Sequence, residues 1–152
     1  MKIVVVAATS AIAEHCCRLW AAREPVDLTL IARDTGKAEK IAADLRVRSP
    51  RSTIAALPGD FHDPAAIQRL AGSIAATGPI DVVLIAQGWL SDQQACQDDL
   101  ALCRQSLELN ALSPVLFAEA FVRTMERQGH GTIGILGSVA GEIRRASCRE
   151  RV

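Results

Sequence analysis

The chain has 152 residues, 49% of them apolar and 22% charged, and Lys plus Arg equals Asp plus Glu at 17 each. That length and composition describe one globular domain with a sizeable core and exclude a disordered chain; the neutral balance gives no support to a nucleic-acid or anionic-membrane surface, which needs a basic excess. No apolar run approaches the roughly 20 residues of a membrane span, the N-terminus carries no signal-peptide cleavage pattern, and His15, His62 and His130 have no ligand spacing, so no metal is expected.

Ile3-Val4-Val5-Val6 is a β-branched run, the pattern of a strand buried on both faces. It leads into Ala7-Ala8-Thr9-Ser10-Ala11-Ile12-Ala13, small except for Ile12, and then into a helix with Cys16, Leu19 and Trp20 at helical spacing. Small residues at such a joint let a diphosphate approach the N–H groups of the helix N-terminus, where the dipole favours negative charge. Glu24-Pro25 breaks this helix, and Asp27–Ala32 reads as strand two. Asp34 or Thr35 caps the next helix, whose apolar face is Ala38, Ile41, Ala42 and Leu45. Ser49-Pro50 ends it, and Thr53–Leu57 is strand three, closed by Pro58-Gly59-Asp60. Asp63-Pro64 combines an N-cap acid with Pro at the first helical position, and Ile67, Leu70, Ala71 and Ile74 form that helix's stripe.

After Gly78-Pro79, Ile80–Ala86 is strand four. One long helix is expected from Gln94 to Arg127, with Leu100, Cys103, Leu107, Ala111, Val115 and Ala118 turned inward and a kink at Pro114. Gly129-His130-Gly131 ends it, and Thr132–Leu136 is strand five. The five cysteines (Cys16, Cys17, Cys96, Cys103, Cys148) are odd in number and contain no C-x-x-C, so they read as free thiols of a reducing cytoplasm.

Strands alternating with helices imply right-handed crossovers and an α/β, doubly wound parallel sheet of Rossmann-like form, with the order 3-2-1-4-5. Ligand then binds outside the carboxyl ends of strands one and four, where the order reverses. The loops that matter are Ala7–Ala13, Arg33–Asp34, Asp60–Phe61, Ala86–Leu90 and Gly137–Gly141. A dinucleotide fingerprint places Gly at three points of the first loop; here Ala7, Ala11 and Ala13 occupy them, while Thr9 and Ser10 offer hydroxyls to a phosphate. Arg33 beside the non-acidic Ala32 favours NADP over NAD. Asp60 accepts from an adenine amino group or closes an Asx turn, with Phe61 beside it. Ala86-Gln87-Gly88 leaves backbone room for a cofactor, and Trp89 lines the pocket or covers the core. Ser138 either faces the cleft, where it can polarise a substrate carbonyl, or is a hydrogen-bonded loop serine. Asn110, inside a helix and in apolar company, needs partners there and can hold a water or a backbone carbonyl near the site.

Taken together, residues 2–142 resemble the short-chain dehydrogenase/reductase family. Ala7–Ala13 is similar to its Gly-rich loop with alanine at all three glycine positions, Ile85-Ala86-Gln87-Gly88 to its Asn-Asn-Ala-Gly motif with the last Gly kept, Asn110 to its structural and catalytic Asn, and Gly137-Ser138 to its catalytic Ser. The resemblance implies hydride transfer between a nicotinamide and a ketone or secondary alcohol, with a Tyr as general acid/base and a Lys depressing its pKa. The family's Tyr position falls on Arg151 and its Lys beyond Val152, so the 152 residues are expected to carry a cofactor half and an incomplete, inactive site. Ala140-Gly141-Glu142 with Arg144-Arg145-Ala146 is similar to the decaprenylphosphoryl-ribose 2-keto reductase branch of the family. Arg145–Val152 looks like adapter read-through, so residues 143–152 are expected to be a non-native tail on a dinucleotide-binding domain of residues 1–142. A homo-oligomer of the full-length form, paired through the long helix, follows from the same resemblance. Two other readings stay open: a non-catalytic NADP-binding sensor, and a doubly wound domain for FMN or a phosphate.

Overall fold

The computed structural model describes residues 1–137. Five parallel strands, β1 (Lys2–Val6), β2 (Asp27–Ala32), β3 (Thr53–Pro58), β4 (Val82–Ile85) and β5 (Thr132–Ile135), form one sheet in the order β3-β2-β1-β4-β5, as expected. The crossovers are α1 (Ala11–Arg23), α2 (Thr35–Arg48), α3 (Pro64–Ala75) and a broken fourth connection: α4 (Gln93–Asp98), α5 (Leu100–Leu107), a π-helical turn (Glu108–Leu112) and α6 (Ser113–Gln128).

The unbroken apolar run of β1 follows from its central place. Successive side chains of a strand point to opposite faces. Ile3 and Val5 enter the core under α1 and α2 with Ala13, Cys17, Leu28, Leu30 and Leu45. Val4 and Val6 enter the other core with Ile67, Ile74, Val83, Ile85, Phe117 and Phe121, under α3 and α6. All four are fully buried.

Side-chain hydrogen bonds fasten the end of the sheet away from the site. The buried Lys2 amine donates to the carbonyls of Ile74 (2.8 Å) and Gly78 (3.3 Å) and to Thr77 Oγ1, so a cation caps the C-terminus of α3. Ile80 N donates to Gln128 Oε1 at 3.0 Å, and Gln128 Nε2 donates back to Ile80 O, tying the end of α6 to the entry of β4.

Two expected helix faces are corrected. In α1 the buried residues are Ala13, Cys17 and Ala21, while Leu19 is 60% exposed; small residues four apart let the helix lie close on the sheet, and Trp20 and Cys16 pack only at its margin. The single helix from Gln94 to Arg127 is broken. Asp99 takes an extended conformation (φ −131°, ψ 103°) and caps α5, its carboxylate accepting from Ala101 N at 2.8 Å. The face turned to the sheet is Leu109, Ser113, Phe117, Phe121 and Met125, one every four residues. Leu100, Leu107, Val115 and Ala111 lie on the outer side, with Leu100 77% exposed. The bulky aromatics win the core because they bury the most apolar area per residue.

Candidate functional site

The first part of the site is the β1–α1 joint. Ala7 adopts φ 59°, the left-handed region that favours glycine. That conformation closes a tight turn in which Ser10 N donates to Ala7 O at 3.0 Å, and it directs the chain from strand into helix. Ala8 N still donates to Ile31 O at 3.0 Å, so the loop leaves β1 only after one further ladder bond. The first helical bond of α1 runs from Glu14 N to Ser10 O (2.9 Å). The N–H groups of the first turn therefore have no intrahelical acceptor. Ser10 is the N-cap, yet its hydroxyl makes no capping bond, which leaves it available to a ligand. Thr9 is exposed beside it.

The second part is the end of β2 and the loop after β3. Arg33 leaves the strand with its guanidinium carbon 6.0 Å from the centroid of Phe61, and the Phe61 ring packs at 5.1 Å on Phe117 in the core. The arginine is thus posed on a buried aromatic support. Gly59 allows this, because a Cβ there would stand 2.5 Å from Ile31 Cγ2 and 3.1 Å from Phe61 Cε2. Asp34 caps α2, accepting from Lys37 N at 3.0 Å, and that N–H is the main cause that holds its carboxyl below the ordinary aspartate range. Asp60 is engaged in its own loop, accepting from His62 N (2.8 Å) and Asp63 N (3.1 Å); the same two N–H groups lower its pKa.

The third part is the end of β4 against the π turn. In a π turn each N–H reaches back five residues, and Ser113 N donates to Glu108 O. The next such bond would come from residue 114, which is proline and has no N–H. The Leu109 carbonyl is therefore free, and Gln87 Nε2 donates to it at 3.4 Å. Gln87 Oε1 is buried without a partner among the described residues. Asn110 grips the loop after β4 from the same turn: Trp89 N donates to its Oδ1 and its Nδ2 donates to Trp89 O, both at 2.7 Å. A helix-interior asparagine thus has the partners it needs.

These parts meet in one cleft of about 290 Å³ at the carboxyl ends of β1 and β4. Of the residues expected from sequence, Ala7, Thr9, Ser10, Arg33, Phe61, Ala86, Gln87 and Gly88 line it. Ile12 does not; its side chain is 58% exposed. Asp60 is absent from the lining, and Asn110 acts from behind, through Trp89. Ser138 lies outside the described residues, as do the rest of its loop and residues 143–152. Asp34, of the expected Arg33–Asp34 loop, also lines the cleft, as do Lys37 and Leu109, which the sequence reading does not place there. A signal for Lys37 is available: the start of a helix beside Arg33 must face the same crevice. Larger grooves between α3 and α6 and between α1 and α2 lie along helix seams, away from the strand ends.

Chemically, the cleft offers two cations, Arg33 and Lys37, beside one carboxylate, Asp34, together with two hydroxyls and a helix N-terminus, and a buried amide oxygen to a donor. Gly88 has open space where a Cβ would stand, so flat or bulky groups can lie against the backbone there. Such a set fits a phosphate-bearing nucleotide.

Comparison with known proteins gives a family and a fold. The family model described as short chain dehydrogenase matches residues 1–149. The chain is 31% identical over 143 residues to an "Uncharacterized oxidoreductase in mprA 5'region" of Streptomyces coelicolor, covering 92% of this chain and 55% of that protein. It is 29% identical over 139 residues to galactitol 2-dehydrogenase (L-tagatose-forming) of Cereibacter sphaeroides, covering 91% and 53%. The solved short-chain dehydrogenase from Sphingobium yanoikuyae in complex with NADPH superposes with a TM-score of 0.75 at 25% identity, over 93% of this chain and 55% of the other. The chain thus spans about half the length of the curated relatives it matches.

Proposed function

The chain belongs to the short-chain dehydrogenase family, and from that premise we propose that it is the nucleotide-binding part of an NADP-preferring oxidoreductase. The reaction is hydride transfer between a nicotinamide and the carbon of a ketone or secondary alcohol, with a small molecule as substrate. The observation that carries the reading is the single cleft at the topological switch point, which gathers Arg33, Thr9, Ser10, Gln87 and Gly88 from separate loops.

When bound, the nicotinamide cofactor supplies or accepts the hydride. This chain's residues hold and orient it. Ser10 and Thr9 donate hydroxyl hydrogens to the diphosphate, and the peptide N–H of Ile12 serves it from the first turn of α1 while the Ile12 side chain stays in solvent. Ala7 sets the turn that brings those donors together. Arg33 receives the phosphate on the adenosine ribose. Asp60 and Phe61 flank the adenine, Phe61 from the cleft lining and Asp60 from just outside it, through Oδ2, the oxygen its own turn does not use. Ala86, Gln87 and Gly88 lie along the nicotinamide half, where Gln87 Oε1 accepts from a ribose hydroxyl. For the carbonyl chemistry we assign Ser138 to polarise the carbonyl oxygen, and Asn110 to hold the loop after β4 in place. The 152 residues contain no tyrosine, so binding rather than turnover is the first measurement.

Titration of the purified chain into NADPH, followed by nucleotide fluorescence, is expected to show saturable binding that Arg33→Met weakens for NADPH more than for NADH. No enhancement with either nucleotide would overturn the reading. The outward Leu100, Leu107 and Val115 are where we place a subunit contact of the longer protein.

A further inference from the structure

The ribose end of the cleft carries an electrostatic conflict. Arg33 lines it beside Asp34, and an acidic group at that place binds a ribose hydroxyl and repels a 2′-phosphate. Resting on the NADP reading above, we propose that Lys37 is a specificity-determining residue: its ammonium offsets the charge of the Asp34 carboxylate and leaves Arg33 free to bind the 2′-phosphate.

Geometry carries the argument. Both oxygens of Asp34 are turned toward residue 37. Oδ1 accepts from Lys37 N at 3.0 Å, and Oδ2 lies 3.7 Å from Lys37 Nζ. Asp34, like any ordinary aspartate, is ionised at neutral pH, and the helix N–H lowers its pKa further. Its charge can therefore be offset only by a neighbouring cation. Arg33 does not supply that cation: it lies over Phe61 and takes part in none of the ion pairs among the described residues. With Lys37, the three side chains sum to one positive charge; without it they sum to zero. The pair is exposed and adds little to folding. A phosphate sharing its cleft senses each charge directly.

The test is direct titration of NADPH and NADH into the full chain and its variants, with thermal melts as a check on folding. Lys37→Met is expected to weaken NADPH about tenfold and to leave NADH unchanged or tighter. It should also flatten the salt dependence of NADPH binding. Asn caps a helix as well as Asp does, so adding Asp34→Asn removes the charge, keeps the cap and should restore NADPH binding. An unchanged NADPH-to-NADH ratio in Lys37→Met overturns the proposal, as does failure of the double variant to recover, which would make Lys37 a direct phosphate ligand. In either case a selective loss in Arg33→Met leaves the NADP reading standing. Binding of neither nucleotide by the unaltered chain removes both.

Discussion

Ala7 shows how far one side chain can depart from the rule of its position. A residue with a Cβ at φ 59° sits where steric repulsion costs about 1–2 kcal/mol. Glycine would relieve that strain, at the cost of a more mobile unfolded chain. Ala7→Gly is therefore expected to stabilise the fold by about 1 kcal/mol, measured as a higher urea midpoint at unchanged m. At the same scale, Cys17 is buried, and that burial pushes its thiol pKa up to about 12. It should resist thiol reagents at pH 8, whereas the partly exposed Cys16, Cys96 and Cys103 react first; mass mapping of labelled peptides checks the order. Asp34 and Lys37 teach the complementary lesson. Sequence reading offers Asp34 or Thr35 as the helix cap and places Asp34 in a site loop; Asp34 is the cap, and as a cap at a strand end it also lines the cleft.

At the scale of elements, the connection from β4 to β5 departs most from expectation. A periodic apolar pattern from Gln94 to Arg127 reads as one helix, and the extended Asp99 and the π turn interrupt it. Pro114 is the second residue after that turn, and its missing N–H frees the Leu109 carbonyl for Gln87. The cleft floor is thus held by a helical irregularity, as is common at functional sites. Asn110→Ala removes both bonds to the Trp89 backbone and should cost about 1–2 kcal/mol, with faster amide exchange in residues 87–90. Asn110→Asp keeps the acceptor for Trp89 N but turns a carboxylate oxygen, which only accepts, toward Trp89 O in place of the donor, so its cost should at least equal that of Asn110→Ala. The element boundaries of β2 and α3 were legible because local chemistry sets them: β-branched and apolar runs end at Asp34 and Asp63, both of which cap the next helix.

At the scale of the molecule, the two edges of the sheet differ. Arg46 of α2 donates from Nε (3.0 Å) and Nη2 (2.6 Å) to Ile54 O, which covers a backbone acceptor on the β3 edge. The far side of β5 pairs with no strand among the described residues, and Ile135 is 53% exposed there. A bare strand edge is a template for pairing. The 152-residue chain should therefore associate as its concentration rises, seen by light scattering, and Ile135→Lys should suppress it. Acid stability also belongs to the whole fold. Asp34, Asp44 and Asp60 are lowered by, respectively, the Lys37 N–H, the Arg48 side chain and the His62 N–H. Their folded pKa values lie below the unfolded value of about 3.9. Their contribution is thus present above that pH and lost as pH falls through the folded values. Urea midpoints should hold from pH 7 to about 5 and decline below about 4.

The residues alone determined the parallel sheet, its strand order and the end of it where the cleft opens, because strand runs, caps and breaks are short-range and the right-handed crossover leaves few topologies. Tertiary structure decided which helix face is buried, that Asp60 serves its own turn, and that Lys37 and Leu109 belong to the cleft. Those outcomes depend on residues distant in sequence competing for the same core space and the same hydrogen-bond partners, and no local pattern records that competition.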